Sequence, residues 1–174
     1  MKYKAAMETQ DIKNWEAAVE EERKNMEKYS VWKLRRLKDV PIGEKVITST
    51  WFMKKKANGT YHAILYVRRF QQVEGVNFDA ADIASPVTND MSIRIVMVST
   101  LTTGWIAKIV DKKGAFLHGE LDEGTDRVYM AVPEVFEKHY DNQVVLLLLK
   151  TIYGLKNAAK AFWKELFKAF GAMK

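Results

Sequence analysis

Three rhythms of apolar and polar positions follow one another along this chain. In "DIKNWEAAVEEERKNMEKY", which begins at Asp11, the residues Trp15, Ala18, Val19, Glu22 and Met26 fall at helical spacing, which predicts an amphipathic surface helix. "VWKL" at 31–34 reads as a short strand, and Pro41 and Gly43 make a loop of the stretch after it. From Lys45 to Gln71 the period drops to two around Asn58-Gly59, a dipeptide suited to the positive φ of a type I′ hairpin turn. Beyond that turn Tyr61, Ala63, Leu65 and Val67 share one face, while His62, Ile64, Tyr66 and Arg68 share the other.

A long connection rich in turn residues, with Pro86, leads into "SIRIVMVSTLTTG". That segment predicts a mostly buried helix, capped by Asn89 or Asp90 and ended by Gly104. "WIAKIVD" predicts a strand running straight into Asp111, "RVYMAVP" and "VVLLLLK" two more strands, and "NAAKAFWKELFKAFGAMK" a closing helix. Hairpin signals outweigh regular crossovers, so the expected fold class is α+β. No internal repeat or low-complexity stretch interrupts the pattern.

Composition narrows the functional classes. At 174 residues, 48% hydrophobic and 29% charged, the chain suits one globular domain or a domain with a helical appendage. Its longest apolar run, Val144 to Leu149, falls far short of the roughly 18 residues of a membrane span, and no secretory leader pattern precedes the first helix. The expected setting is therefore cytoplasmic or nuclear, neither secreted nor membrane-bound. Without cysteine there are no disulfides and no thiolate zinc sites. Net charge is +6, and between Lys45 and Phe70 six basic residues occur with no acid. Such a run is either a solvated face or a contact for nucleic-acid phosphates.

"KIVDKKGAFLHGE" sets Asp111 at the end of an apolar stretch. An aspartate there more often turns or caps the chain than does chemistry. Its context is more specific. "NWEAAVEEE", "VWKL", "WFMKKKANGTYHAILYVRRFQ", "EGVNFDAADIASPV", "SIRIVMVS", "DKKGAFLHGEL", "VYMAVP" and "TIYGLKNAAKAFWKEL" together resemble the reverse transcriptase of copia-type long-terminal-repeat retrotransposons, in that family's order and over essentially the whole chain.

The resemblance implies a fingers hairpin followed by an incomplete palm. It divides the chain into an N-terminal helix and connection at 1–44, a basic fingers-like hairpin and loop at 45–90, and a partial palm at 91–174. Asp111 then corresponds to the first metal-binding carboxylate, beside the backbone carbonyl of Lys112. Two magnesium ions are the implied cofactors, since hard oxygen ligands suit that ion and phosphoryl transfer uses it in pairs. Phe116 corresponds to the aromatic beneath the incoming sugar. Lys54, Lys55, Lys56 and Arg68 correspond to contacts with triphosphate or template. Tyr153, Gly154, Lys156 and Asn157 lie in the segment that approaches template and primer. The implied partners are an RNA template, a DNA primer and deoxynucleoside triphosphates.

The chain also departs from the family pattern. The family places two adjacent aspartates after the segment corresponding to "YGLK", and no such pair occurs in these 174 residues, so the isolated chain is expected to be inactive. Ile64 stands where the family has arginine, and Arg69 and Val135 stand at glycine positions, which would strain the backbone if φ is positive there. Lys112, Gly114, Asn157 and Ala159 are further differences. Two other readings follow from the same residues: a non-catalytic nucleic-acid-binding module, with Tyr61, Tyr66 and Phe70 as stacking partners, and a self-associating structural remnant.

Overall fold

The computed structural model describes residues 1–109, 111–121 and 127–172. Its helices are α1 (Tyr3–Met7), α2 (Ile12–Lys28), α3 (Asp90–Thr103) and α4 (Ala158–Gly171). Its strands are β1 (Trp32–Arg36), β2 (Val46–Ile47), β3 (Ser49–Lys55), β4 (Tyr61–Val67), β5 (Tyr129–Ala131) and β6 (Val144–Leu148). The mixture is α+β, as the sequence pattern predicts.

Two sheets organise it. One has the order β1-β6-β5-β2, antiparallel except for the parallel β2–β5 pair, and the other is the antiparallel ribbon β3–β4. Strand β6 lies between β1 and β5, and Val145 to Leu148 are all buried, which is why its sequence is continuously apolar rather than alternating. Leu146 and Leu148 enter the main core, whereas Val145 and Leu147 join Tyr129 in a smaller cluster behind the sheet.

The ribbon alternates instead. Register pairs Trp51 with Leu65 and Met53 with Ala63, and all four are buried on the face that meets α2 and the core. Helix α2 supplies Trp15, Ala18, Val19 and Met26 to that core, and Trp15 meets Tyr61 edge-on at 4.6 Å.

Three expectations change. The hairpin turn uses Gly59 alone at positive φ (+83°), with the Gly59 N–H bonded to the Lys56 carbonyl and the Lys56 N–H to the Thr60 carbonyl. A longer loop with one left-handed glycine replaces the type I′ turn. Helix α3 has the expected caps, Asn89 accepting the Ser92 N–H at 2.8 Å and Gly104 at φ +69°, but it buries none of its residues. Its apolar side chains surround the helix, a pattern that calls for cover on every side, and the described residues provide none. The expected strand into Asp111 is not formed at 105–109, where the chain is exposed and without regular structure; Val110 lies outside the described residues. An alternating segment becomes a strand only when a ladder partner takes its N–H and C=O groups. Among the described residues, no helix is long and apolar enough to cross a membrane.

Candidate functional site

Strand pleating decides which hairpin lysines can act together. Lys54 lies opposite His62 and Lys55 opposite Tyr61, so the two lysines point to opposite faces. Lys54 and Lys56 border a pocket of about 600 Å³ whose other walls come from α2, from β4 and from the 111–117 segment. Lys55 points away, bridging Asp11 at 3.4 Å and lying 4.5 Å from the centre of the Tyr61 ring.

Asp111, Lys112, Lys113 and Phe116 line the same pocket. Gly114, at φ +65°, opens the 3-10 turn Ala115–His118 that carries Phe116. The turn is held from behind: Thr151, fully buried, donates its hydroxyl proton to the Phe116 carbonyl at 2.5 Å and its N–H to the Gly119 carbonyl at 2.7 Å. Phe116 meets Tyr153 edge-on at 5.1 Å, and Tyr153 also lines the pocket. Burial, with Glu22, Tyr66 and Asp111 nearby, raises the Tyr153 pKa, so its hydroxyl keeps its proton.

The turn containing Tyr153 is clamped to the hairpin. The Val67 N–H donates to the Tyr153 carbonyl at 2.9 Å, and a Cβ on Gly154, whose φ is +94°, would come within 2.4 Å of the Val67 carbonyl oxygen. Glycine is required there on both counts. The packing thus ties the 111–117 loop, the turn before α4 and the ribbon into one wall.

Of the residues singled out in the sequence, Asp111, Lys112, Phe116, Lys54, Lys56 and Tyr153 come together around this pocket. Arg68 lies at the other end of β4 and donates to the Thr48 hydroxyl at 3.3 Å. Lys156 sits 4.2 Å from the centre of the Phe78 ring, and its N–H donates to Gln72 Oε1 at 2.9 Å. Asn157 is buried, with neither side-chain polar atom hydrogen-bonded to a described residue.

Ile64, at the position where the resemblance implies an arginine, lines the pocket. Arg69 and Val135 do not have positive φ, so losing glycine strains neither position.

Sequence reasoning passed over Glu22. It lines the pocket from α2 and leaves Oε1 buried with no partner among the described residues. Burial pushes its pKa up to about 7, with Glu21 adding to the rise and the nearby Leu65 backbone opposing it. The signal was present: an acid occupies the helical stripe otherwise made of Trp15, Ala18, Val19 and Met26. His62, beside it, has its pKa lowered by burial and by Lys56 and Lys113.

The wall just described includes segments that carry the sequence resemblance. A family model described as reverse transcriptase (RNA-dependent DNA polymerase) matches residues 29–173. The chain belongs to that family, in its copia-type branch. It is 35% identical over 158 residues to the retrovirus-related Pol polyprotein from transposon TNT 1-94 of Nicotiana tabacum, covering 88% of this chain and 11% of that protein. It is 34% identical over 131 residues to the Pol polyprotein from transposon RE2 of Arabidopsis thaliana, covering 72% of this chain and 9% of that one. The corresponding protein from transposon RE1 of the same plant is 34% identical over 126 residues, covering 70% of this chain and 8% of its own length. The chain therefore spans about a tenth of these relatives. No solved structure matches it significantly.

Proposed function

We propose that the chain is the part of a copia-type RNA-directed DNA polymerase that receives the incoming deoxynucleoside triphosphate, with the fingers in 45–90 and the first part of the palm in 91–174. The observation that carries this reading is the pocket itself. Lys54, Lys56, Asp111 and Phe116 all line it, a set in which cations would meet a triphosphate while an aromatic supports the sugar. Arg68 and the exposed Phe70, just beyond the end of β4, are where an RNA template and DNA primer would run.

Magnesium fits only in part. Asp111 and the Lys112 carbonyl are suitable hard ligands, but among the described residues no three acidic or histidine side chains converge on one point, and Lys112 and Lys113 stand beside Asp111. One carboxylate does not hold two ions for in-line displacement. The expected behaviour of the isolated chain is binding without synthesis.

Primer extension on an RNA template with magnesium, run on this chain and on Asp111→Ala, tests the reading, with duplex and triphosphate binding followed in parallel. Salt-sensitive binding without extension is the expected result. Extension that disappears in Asp111→Ala would overturn the inactivity of the isolated chain, and absence of triphosphate binding would overturn the pocket assignment. A second reading, self-association, has its own observation: α3 exposes Ile95, Val96, Met97, Val98 and Leu101. A strictly monomeric chain in sedimentation would remove it.

A further inference from the structure

The ribbon gives the pocket more than its two lysines. His62 lies directly across the ladder from Lys54, so both side chains rise from one face of the ribbon, and both line the pocket. Residues so paired have Cβ atoms about 5 Å apart, close enough for one phosphate group to meet both side chains. Ile64, the next residue along that face of β4, is apolar and gives an anion nothing to bind. His62 is half-buried, neither of its ring nitrogens is hydrogen-bonded to a described residue, and neither is closed off from solvent. It is a donor without a partner, open to the pocket and next to a cation.

We propose that His62, as an imidazolium, is a phosphate-binding residue of this pocket, giving a charge-assisted hydrogen bond to a polyphosphate that Lys54 also holds. The inference rests on the reading of the pocket as a triphosphate site. The neutral ring keeps one N–H but loses its charge, so affinity falls as pH rises through the imidazole titration.

The charged groups around the ring set the sign of the linkage. Lys54 and Lys56 line the pocket from the hairpin with Tyr61, and Asp111, Lys112 and Lys113 line it from the loop. Glu21, Glu22 and Lys28 face it from α2, and Tyr153 from the turn before α4. Burial first, then Lys56 and Lys113, hold the His62 pKa below its ordinary value, against Glu21. Without a ligand the ring is therefore mostly neutral near pH 7. A polyphosphate among these lysines offsets their repulsion and draws a proton onto the ring, so binding and protonation reinforce each other.

The test is calorimetric binding of inorganic tripolyphosphate without magnesium, from about pH 5.5 to about pH 8 at constant low ionic strength, on the wild-type chain, on His62→Lys and on His62→Gln. The lysine carries its charge throughout and the amide never does, so the ratios of affinities cancel the titration of the ligand and of Glu22. Wild-type affinity is expected to match His62→Lys at the acid end and to fall about tenfold relative to it by the alkaline end, where it should match His62→Gln. Wild-type affinity in constant ratio to both variants would overturn the inference while leaving the pocket assignment standing. No binding by any of the three at the acid end would overturn both.

A second measurement needs no variant: the imidazole ring resonances of His62, titrated with and without tripolyphosphate. Linkage requires the His62 pKa to rise when the ligand is bound, and an unchanged or lowered value would overturn the proposal. Repeating the binding series with a deoxynucleoside triphosphate and with a short DNA strand separates the sources of phosphate. A larger effect of His62 on the triphosphate supports the proposal, and an equal or larger effect on the strand overturns it.

Discussion

The ribbon β3–β4 and the stretch from α3 to Ile109 are both rich in apolar residues, and they end in opposite states. In the ribbon, apolar and polar positions alternate, each strand has a partner, and the apolar face meets α2. In α3 the apolar residues encircle the helix, none is buried, and Trp105, Ile106 and Ile109 beyond it are exposed without a ladder. Hydrophobicity alone therefore does not place a segment in a core. A geometrically matched neighbour does, and within the described residues only the ribbon has one.

Truncating one residue in each region gives the largest contrast. Leu65→Ala, at a fully buried site, is expected to cost about 2–5 kcal/mol in urea unfolding. Leu101→Ala, 84% exposed, should change stability by less than about 0.5 kcal/mol and reduce any self-association seen in sedimentation. Equal losses at the two positions would mean that α3 is packed in solution and that the contrast is false.

Two glycines sharpen the same comparison at a smaller scale. Both have positive φ, so alanine strains either by about 1 kcal/mol. At Gly104, which ends α3, an added Cβ meets nothing within 4 Å and the strain is the whole cost. At Gly154 the Cβ meets the Val67 backbone, so Gly154→Ala should lose clearly more, about 2–4 kcal/mol in the same unfolding assay, and loosen the pocket wall. A Gly154→Ala loss no larger than that at Gly104 would show that the turn before α4 is free to move away from β4.

The ribbon, the helices α2 and α4, the central strand β6 and the caps of α3 were legible because each follows from local spacing or a local residue preference. The exposure of α3 was not. Its pattern states that it needs cover but not which residues provide it. The strand expected before Asp111 failed for the same reason, since a ladder is a property of two segments. Within the site, the resemblance led to Asp111, Phe116 and the lysines. That Lys54 and Lys56, but not Lys55, reach the pocket depends on register, and register is fixed by the turn at Gly59. Glu22 stood in plain view on an apolar stripe, but only the approach of β4 to α2 gives that position its chemistry.

Stability against pH tests that approach. The Glu22 pKa is raised from 4.5 to about 7 in the folded chain, so between those values the folded state holds a proton that the unfolded state has released. Stability contributed by this group is then present at low pH, falls as pH rises through that window, and levels off above it. The full shift corresponds to about 3 kcal/mol, and solvent screening of a partly enclosed group reduces this to about 1–2 kcal/mol. Glu22→Gln should flatten that part of the profile and be more stable than wild type near pH 8 by this amount. Superimposable profiles would place the carboxyl in solvent.

The smallest effects separate the two sides of the ribbon. Lys55 and Asp11 form an exposed pair, so Lys55→Ala should leave stability nearly unchanged and leave tripolyphosphate binding unchanged. Lys54→Ala should be equally mild in stability but weaken tripolyphosphate several-fold, with a shallower dependence of affinity on salt, because it removes one cation from the pocket. The argument turns on register: Lys54 opposite His62 and Lys55 opposite Tyr61 assign the adjacent lysines to different faces. If both substitutions weaken binding alike, the anion is held by the field of the basic run rather than by one face of it. If only Lys55→Ala weakens binding, the ribbon is paired one residue out of register, which would also turn Leu65 and Met53 out of the core and undo the largest contrast above.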